Sequence, residues 1–306
     1  MTTLHFDFTV FGTGSASPHL ERPPSAFLVQ MDADSILIDC GEATQYRLLE
    51  YKIKHTRIRH ILISHLHGDH YFGLIGLLSS LSLGHRTEPL TLVGPPGLAE
   101  IITVQFKYSQ TVLSYPLHFV ETRPTEHQLI VDHPRFTIET IPLSHRVPCH
   151  GFLIREKLTK RKLIKEKIPA NFPIPYLKKL ADGFDVTDEL TGELYAVDEW
   201  TLPASKPRAL AYCSDTAYLP SIIPLIQGVD LLYHEATFDQ SHVERAAQTF
   251  HSTAQQAAQI ARDAGVKKLV IGHFSSRYKT VEHLVLEAQE VFPDTVLSKE
   301  GLVISL

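Results

Sequence analysis

The segment Ile61-Leu62-Ile63-Ser64-His65-Leu66-His67-Gly68-Asp69-His70 decides how this chain is read. An apolar run ends in four potential metal ligands within six positions. Just past a strand the backbone is extended, so His65 and His67 point the same way. Gly68 permits a sharp turn that brings Asp69 and His70 round to the same cavity. The spacing predicts one metal on the first pair and a second on the other. Neutral imidazole and carboxylate suit zinc, and manganese or iron can occupy similar sites.

Four ligands do not complete two sites, so partners are expected at other strand ends. His145 follows Thr140-Ile141-Pro142-Leu143-Ser144, Asp215 follows Leu210-Ala211-Tyr212-Cys213-Ser214, and His273 follows Leu269-Val270-Ile271-Gly272. Site residues of layered α/β proteins tend to lie in such places.

Apolar periodicity predicts strands at Phe6–Phe11, Ser25–Gln30, Ser35–Ile38, Arg59–Ser64 and Leu90–Val93. The second and third form a hairpin around Asp32-Ala33-Asp34. Further strands are expected at Leu117–Glu121, Gln128–Asp132, Phe136–Pro142, His150–Ile154, Ala209–Cys213, Val229–His234, Lys268–Gly272 and Gly301–Ser305. Helices are expected at Glu42–Glu50, at His70–Leu81, from Pro95-Pro96-Gly97 to about Tyr108, and at Thr280–Val291. Another should begin at a Ser252 cap, with Gln255 completing a capping box, and end at Ala264. Strand-rich first half and alternating second half together predict a layered α/β fold.

From Arg155 to about Pro207 this regularity fails, which marks an insertion within a single domain of residues 1–306. Its start, Arg155 to Lys167, holds Arg155, Lys157, Lys160, Arg161, Lys162, Lys165 and Lys167 against Glu156 and Glu166, a net charge of +5. The whole chain of 306 residues carries −5, so the remainder sums to −10. Total charge alone would exclude a polybasic nucleic-acid binder; its distribution does not. Cys40, Cys149 and Cys213 are odd in number and form no Cys-x-x-Cys pair, which excludes a thiolate zinc finger and suits a reducing, cytoplasmic setting. The N-terminal Met1–Val10 is too polar for a signal peptide, and the apolar run Tyr71–Gly84 is too short and interrupted to span a bilayer.

His-x-His-x-Asp-His, followed in order by a His, an Asp and a His at strand ends, resembles the metallo-β-lactamase superfamily. Within it the chain resembles the ribonuclease Z family, whose members mature the 3′ end of transfer RNA. The resemblance rests on Gly12-Thr13-Gly14-Ser15-Ala16, on Leu37 to Gln45, on the metal motif, and on Pro142 to Cys149. It continues through Ser214-Asp215-Thr216, His234-Glu235-Ala236-Thr237-Phe238, His251-Ser252-Thr253 and Gly272 to Tyr278.

That likeness implies a four-layer αββα fold with a projecting arm over residues 155–207. It implies two zinc ions per subunit, one on His65, His67 and His145, the other on Asp69, His70 and His273, with Asp215 bridging. Asp39 would support the site without ligating. The implied reaction is attack by a metal-activated hydroxide on the scissile phosphodiester of precursor tRNA, leaving a 3′-hydroxyl on the tRNA and a 5′-phosphate on the trailer. Asp69 would take the nucleophile's proton and His251 would protonate the leaving oxygen, with Glu235 orienting His251. The arm would grip the tRNA, in a homodimer whose arms each serve the partner's site. The arm departs from the family's Gly-Pro tip, carrying Phe172-Pro173-Ile174-Pro175-Tyr176 instead. Two other readings stay open: a superfamily hydrolase acting on a small substrate, and a zinc-containing RNA-binding subunit without catalysis.

Overall fold

The computed structural model describes residues 5–17 and 19–306; Met1 to Leu4, the start of the stretch judged too polar for a leader, lie outside the described residues. The first sheet is laid down by β1 (Phe6–Gly12), β2 (Ala26–Met31), β3 (Asp34–Cys40), β4 (Ile58–Leu62), β5 (Leu90–Gly94) and β6 (Leu117–Glu121). The chain then supplies β7 (Leu129–Asp132), β8 (Phe136–Pro142) and β9 (His150–Glu156) to a second sheet. Short strands β10 (Lys162–Leu163), β11 (Val186–Thr187), β12 (Leu194–Tyr195) and β13 (Thr201–Leu202) follow. The second sheet resumes with β14 (Ala209–Cys213), β15 (Leu231–Glu235), β16 (Leu269–Gly272) and β17 (Thr295–Leu297), and β18 (Val303–Ser305) closes the first. The orders are β18-β1-β2-β3-β4-β5-β6 and β17-β16-β15-β14-β9-β8-β7.

Helices are α1 (Thr44–Glu50), α2 (Gly68–Tyr71), α3 (Leu74–Leu83), α4 (Leu98–Ser109), α5 (Ile174–Ala181), α6 (Val197–Trp200), α7 (Val243–Thr249), α8 (Ala254–Asp263) and α9 (Glu282–Val291). Strand alternation builds the layers. On β1 and β2, Phe8 and Phe27 stack at 5.6 Å, and Phe27 meets Tyr212 of β14 at 5.1 Å and Tyr233 of β15 at 4.5 Å. These rings fill the space between the sheets. On the opposite faces, Leu28 and Leu37 pack with Leu74, Leu78 and Ile102 of α3 and α4, while Ala211 and Cys213 pack with Ala257, Ala258 and Ile260 of α8. The order helix, sheet, sheet, helix is the αββα arrangement expected.

Two boundaries differ from the sequence reading for a local reason. The helix expected over His70–Leu81 is two helices, broken at Gly73. The Gly73 amide donates to the Cys40 carbonyl at 2.9 Å, and a side chain there would lie 2.1 Å from the Gly41 carbonyl oxygen. The cap of α8 is Thr253, not Ser252: Thr253 Oγ1 accepts from the Gln256 amide at 3.2 Å, and Gln256 Oε1 accepts from the Thr253 amide at 3.0 Å. The strand β17 and the helix α7 were not expected at all.

The chain divides into two compact units. One holds the residues up to Val131, Ile138–Ile154 and Ala209–Leu306; the other holds Asp132–Thr137 and Arg155–Arg208. In the smaller unit β10 pairs with β13 and β11 with β12, both antiparallel. Its centre is aromatic: Phe172 stacks on Trp200 at 4.9 Å, and Tyr195 meets Trp200 edge-on at 5.2 Å. Phe172-Pro173 thus leads into α5, with Pro173 as its N-cap and the Phe172 ring as its anchor. Among the described residues no helix is long and apolar enough to cross a membrane.

Candidate active site

Strand register sets the site. In the parallel run β14-β15-β16, Cys213 pairs with His234 and Glu235 with Gly272. Asp215, Glu235 and His273 therefore leave adjacent strand ends together. The segment beyond β4 delivers His65 to His70 and the loop after β8 delivers His145.

The side chains gather in three overlapping groups able to hold a metal: His65, His67, His145 and Asp215; Asp69, His70 and His273; and Asp215, His251 and His273. In the first, His67 Nδ1 lies 3.1 Å from His65 Nε2 and 3.2 Å from His145 Nε2, and Asp215 Oδ2 lies 3.6 and 3.8 Å from those two Nε2 atoms. In the second, His70 Nε2 and His273 Nε2 are 3.3 Å apart, with Asp69 Oδ2 at 3.5 and 3.4 Å from them. The other Asp215 oxygen, Oδ1, is 3.3 Å from His70 Nε2 and 3.2 Å from His273 Nε2. The two oxygens of Asp215 thus face different groups.

These donors fit metal ions on three counts. A tetrahedral ion with bonds of about 2.0–2.1 Å has ligand atoms about 3.3 Å apart, close to the spacings here. The outer ring nitrogens are occupied, leaving the inner ones free. His65 Nδ1 meets Ser64 Oγ at 3.0 Å, His70 Nδ1 meets Asp39 Oδ2 at 2.8 Å, His145 Nδ1 meets the Phe250 carbonyl at 3.0 Å, and His273 Nδ1 meets Thr237 Oγ1 at 2.9 Å. Finally, the carboxylates Asp39, Asp69, Asp215 and Glu235 converge here, and among the described residues no lysine or arginine is paired with any of them. Buried anions need a positive partner.

The electrostatics follow from the same crowding. Burial lowers His65, His67 and His145, keeping them as neutral imidazoles. Burial would lower His70 too, but Asp215, Asp69 and Asp39 outweigh it and raise the ring well above its ordinary range. Burial opposes ionisation of Asp69 and Asp215; the surrounding imidazoles win and hold both well below the carboxylate range.

Asp39 is a hub. Its oxygens accept from the Ser64 amide at 2.8 Å, Ser64 Oγ at 2.9 Å and Tyr212 Oη at 2.7 Å, besides His70. It adopts φ 55°, a left-handed conformation costing about 1–3 kcal/mol, which these bonds offset. Asp39 lies behind His70, as a supporting residue would.

His251 stands beside the first two groups, with ring centroids 5.3 Å from His145 and 5.5 Å from His273. Its Nδ1 donates to Glu235 Oε1 at 2.9 Å. Glu235 also accepts from the Thr216, Thr237 and Ser252 amides and from Thr237 Oγ1, at 2.8 to 3.1 Å. Burial pulls the His251 ring down, but the Glu235 carboxylate prevails and raises it to about 9. One buried carboxylate therefore holds and orients the ring and favours its protonated form.

The cavity in front measures about 520 Å³. Beyond the residues above it is lined by Ala16, Pro24, Glu42, Phe72 and Arg146. The sequence reading assigned no role to these. The Ala16 amide donates to Asp69 Oδ2 at 2.7 Å, so the loop after β1 fixes a ligand-type carboxylate. Only the position of Arg146, next to His145, could have flagged it in advance.

The seven cations read as substrate contacts all lie in the smaller unit. Lys157 pairs with Asp132, Lys160 with Asp182 at 2.7 Å, and Arg161 with Asp198. Lys167 donates to the Glu199 carbonyl at 2.7 Å. Arg155 is also engaged. Lys162 and Lys165 are exposed, with no ion-pair partner among the described residues. Asp182 and Asp198 of the acidic second half of the insertion thus meet two cations of its basic first half.

Two family models match the chain: one described as Anti-Pycsar protein Apyc1 over residues 6–159, and one described as Beta-lactamase superfamily domain over residues 197–274. The chain is 49% identical over 300 residues to ribonuclease Z of Cytophaga hutchinsonii, covering 97% of this chain and 95% of that protein. It is 43% identical over 303 residues to ribonuclease Z of Bacteroides fragilis, covering 98% and 99%. The crystal structure of human tRNase Z, short form, superposes with a TM-score of 0.71 at 28% identity, covering 98% of each chain.

Proposed function

The chain belongs to the ribonuclease Z family of the metallo-β-lactamase superfamily, and from that premise we propose how its side chains process the 3′ end of precursor tRNA. The enzyme is an endoribonuclease that hydrolyses a phosphodiester and removes the trailer.

His65, His67, His145 and Asp215 would hold one divalent cation, and Asp69, His70, His273 and Asp215 a second, with zinc favoured by the donor set. Such a pair supplies a water of lowered pKa and positive charge beside the phosphoryl oxygens. The residues do the rest. Asp69, fixed by the Ala16 amide, takes the proton of the attacking water. As the bond from phosphorus to the ribose 3′ oxygen breaks, His251 gives that oxygen a proton from Nε2. Glu235 keeps the opposite nitrogen engaged and the ring charged until transfer. The tRNA leaves with a 3′-hydroxyl and the trailer with a 5′-phosphate.

The observation that carries this reading is the His251–Glu235 pair set against two convergent ligand groups. A ligand cluster alone would serve many hydrolases, whereas a poor leaving group such as a ribose oxygen needs a proton donor. The arm of residues 155–207 is read as the part that holds the tRNA by its phosphates, with Lys162 and Lys165 in contact. By family resemblance the enzyme is a homodimer in which each arm serves the partner's site. Its three cysteines are buried and free, which accords with action in a reducing cytoplasm.

The test is incubation with a 3′-extended precursor tRNA and mapping of the new ends. A 3′-hydroxyl at the nucleotide preceding the trailer is expected; no cut, or a 3′-phosphate, overturns the proposal. The rival reading is a superfamily hydrolase of small substrates. It predicts efficient turnover of bis(p-nitrophenyl) phosphate without cleavage of precursor tRNA.

A further inference from the structure

Among the wall residues outside the ligand groups and the proton donor, one is a large exposed aromatic. Phe72 lines the cavity and is 58% exposed. Folding gives no reason to leave that ring in water, since burial would stabilise it. It is nonetheless held. Its amide donates to the Gly68 carbonyl at 2.9 Å, and its ring lies over Gly68 so closely that a methyl group there would fall 2.3 Å from it. Tyr71 meets it near edge-on, with centroids 5.1 Å apart. The next residue, Gly73, is bonded to the Cys40 carbonyl. The glycine inside the metal motif therefore also makes room for a fixed aromatic ring facing the substrate space.

We propose that Phe72 is the stacking platform for the nucleobase flanking the scissile phosphate on the trailer side. The inference rests on the reading that this cavity receives precursor tRNA. Phe72 lies over Gly68, beside Asp69, and Gly73 next to it packs on the Gly41 carbonyl, whereas His251 stands against His145 and His273. His251 protonates the oxygen that stays with the tRNA, so the nucleotide opposite it belongs to the trailer. Stacking on a phenyl face is open to every base, which suits a trailer of variable sequence.

Precursor tRNAs carrying 2-aminopurine, either as the first trailer nucleotide or as the last nucleotide retained, are mixed with the full-length enzyme in stopped flow. The trailer probe should be quenched before cleavage by the wild type and by Phe72→Trp, and not by Phe72→Leu. Phe72→Leu should lower kcat/KM about five- to 100-fold. An abasic first trailer nucleotide should cost the wild type a similar factor and cost Phe72→Leu nothing further. Quenching confined to the retained-side probe overturns the proposal, as does an abasic penalty equally large in Phe72→Leu. Should Phe72→Leu fold poorly, the wild-type quench and the wild-type abasic penalty still decide. A wild type that leaves every precursor uncut refutes the function itself, a separate outcome.

Discussion

His251 shows how one buried carboxylate can set both the direction and the charge of a proton donor. Five donors converge on Glu235, so its position does not depend on His251, and the histidine takes its orientation from a fixed acid. His251→Ala should therefore lower kcat on precursor tRNA by about 10²–10⁴-fold. Bound metal should be unchanged by atomic spectroscopy, since His251 is outside both ligand groups as proposed. His283→Ala, which removes a partly exposed ring beside Asp239, should leave both quantities as they are. Asp39 acts one step further out. Asp39→Asn should weaken metal binding about 10- to 100-fold in a competitive chelator titration, because His70 would lose the carboxylate that orients it. Ligand-type residues were legible because His and Asp are uncommon at such density after an apolar strand. Phe72, Ala16 and Arg146 were not, because their importance comes from the shape of a cavity, and a backbone amide such as that of Ala16 has no sequence signature.

At the scale of elements, short connections carry the precision. The helix α8 begins directly after His251 and Ser252, so its start fixes the loop that holds the proton donor. Ser252 and Thr253 each have a glutamine three residues on, so the sequence offers two equivalent capping boxes. Tertiary contacts select the second: Ser252 Oγ is already donating to the Thr216 carbonyl at 2.8 Å. Thr253→Ala should destabilise the protein by about 1 kcal/mol in urea unfolding, whereas a Ser252→Ala effect would not be a capping effect. The strands of both sheets were readable from period-two and continuous apolar patterns. The break at Gly73 was not, because it answers to a carbonyl of β3 more than thirty residues earlier. The three-residue β17 carries too little pattern to register.

For the molecule as a whole, charge is partitioned by pairing. Lys157, Lys160 and Arg161 are partnered within their own unit, and Lys162 and Lys165 are not. The double change Lys162→Glu and Lys165→Glu should raise KM for precursor tRNA several-fold and flatten its salt dependence, with kcat nearly unaffected. Lys160→Ala should shift KM less, since its charge is already met by Asp182. Asp7 pairs with Ser305 and Thr9 with Val303, so β1 finds its outer neighbour in β18, after every other strand of both sheets. The loop after β1 steadies Asp69, and Thr13 within it bonds to Glu300 at 2.7 Å. The floor of the site therefore depends on a pairing that spans every other strand of both sheets. Contacts so distant in sequence form late. The site is thus closed by one of the longest-range pairings of the fold, and cutting activity should be among the last properties regained when the unfolded protein is refolded.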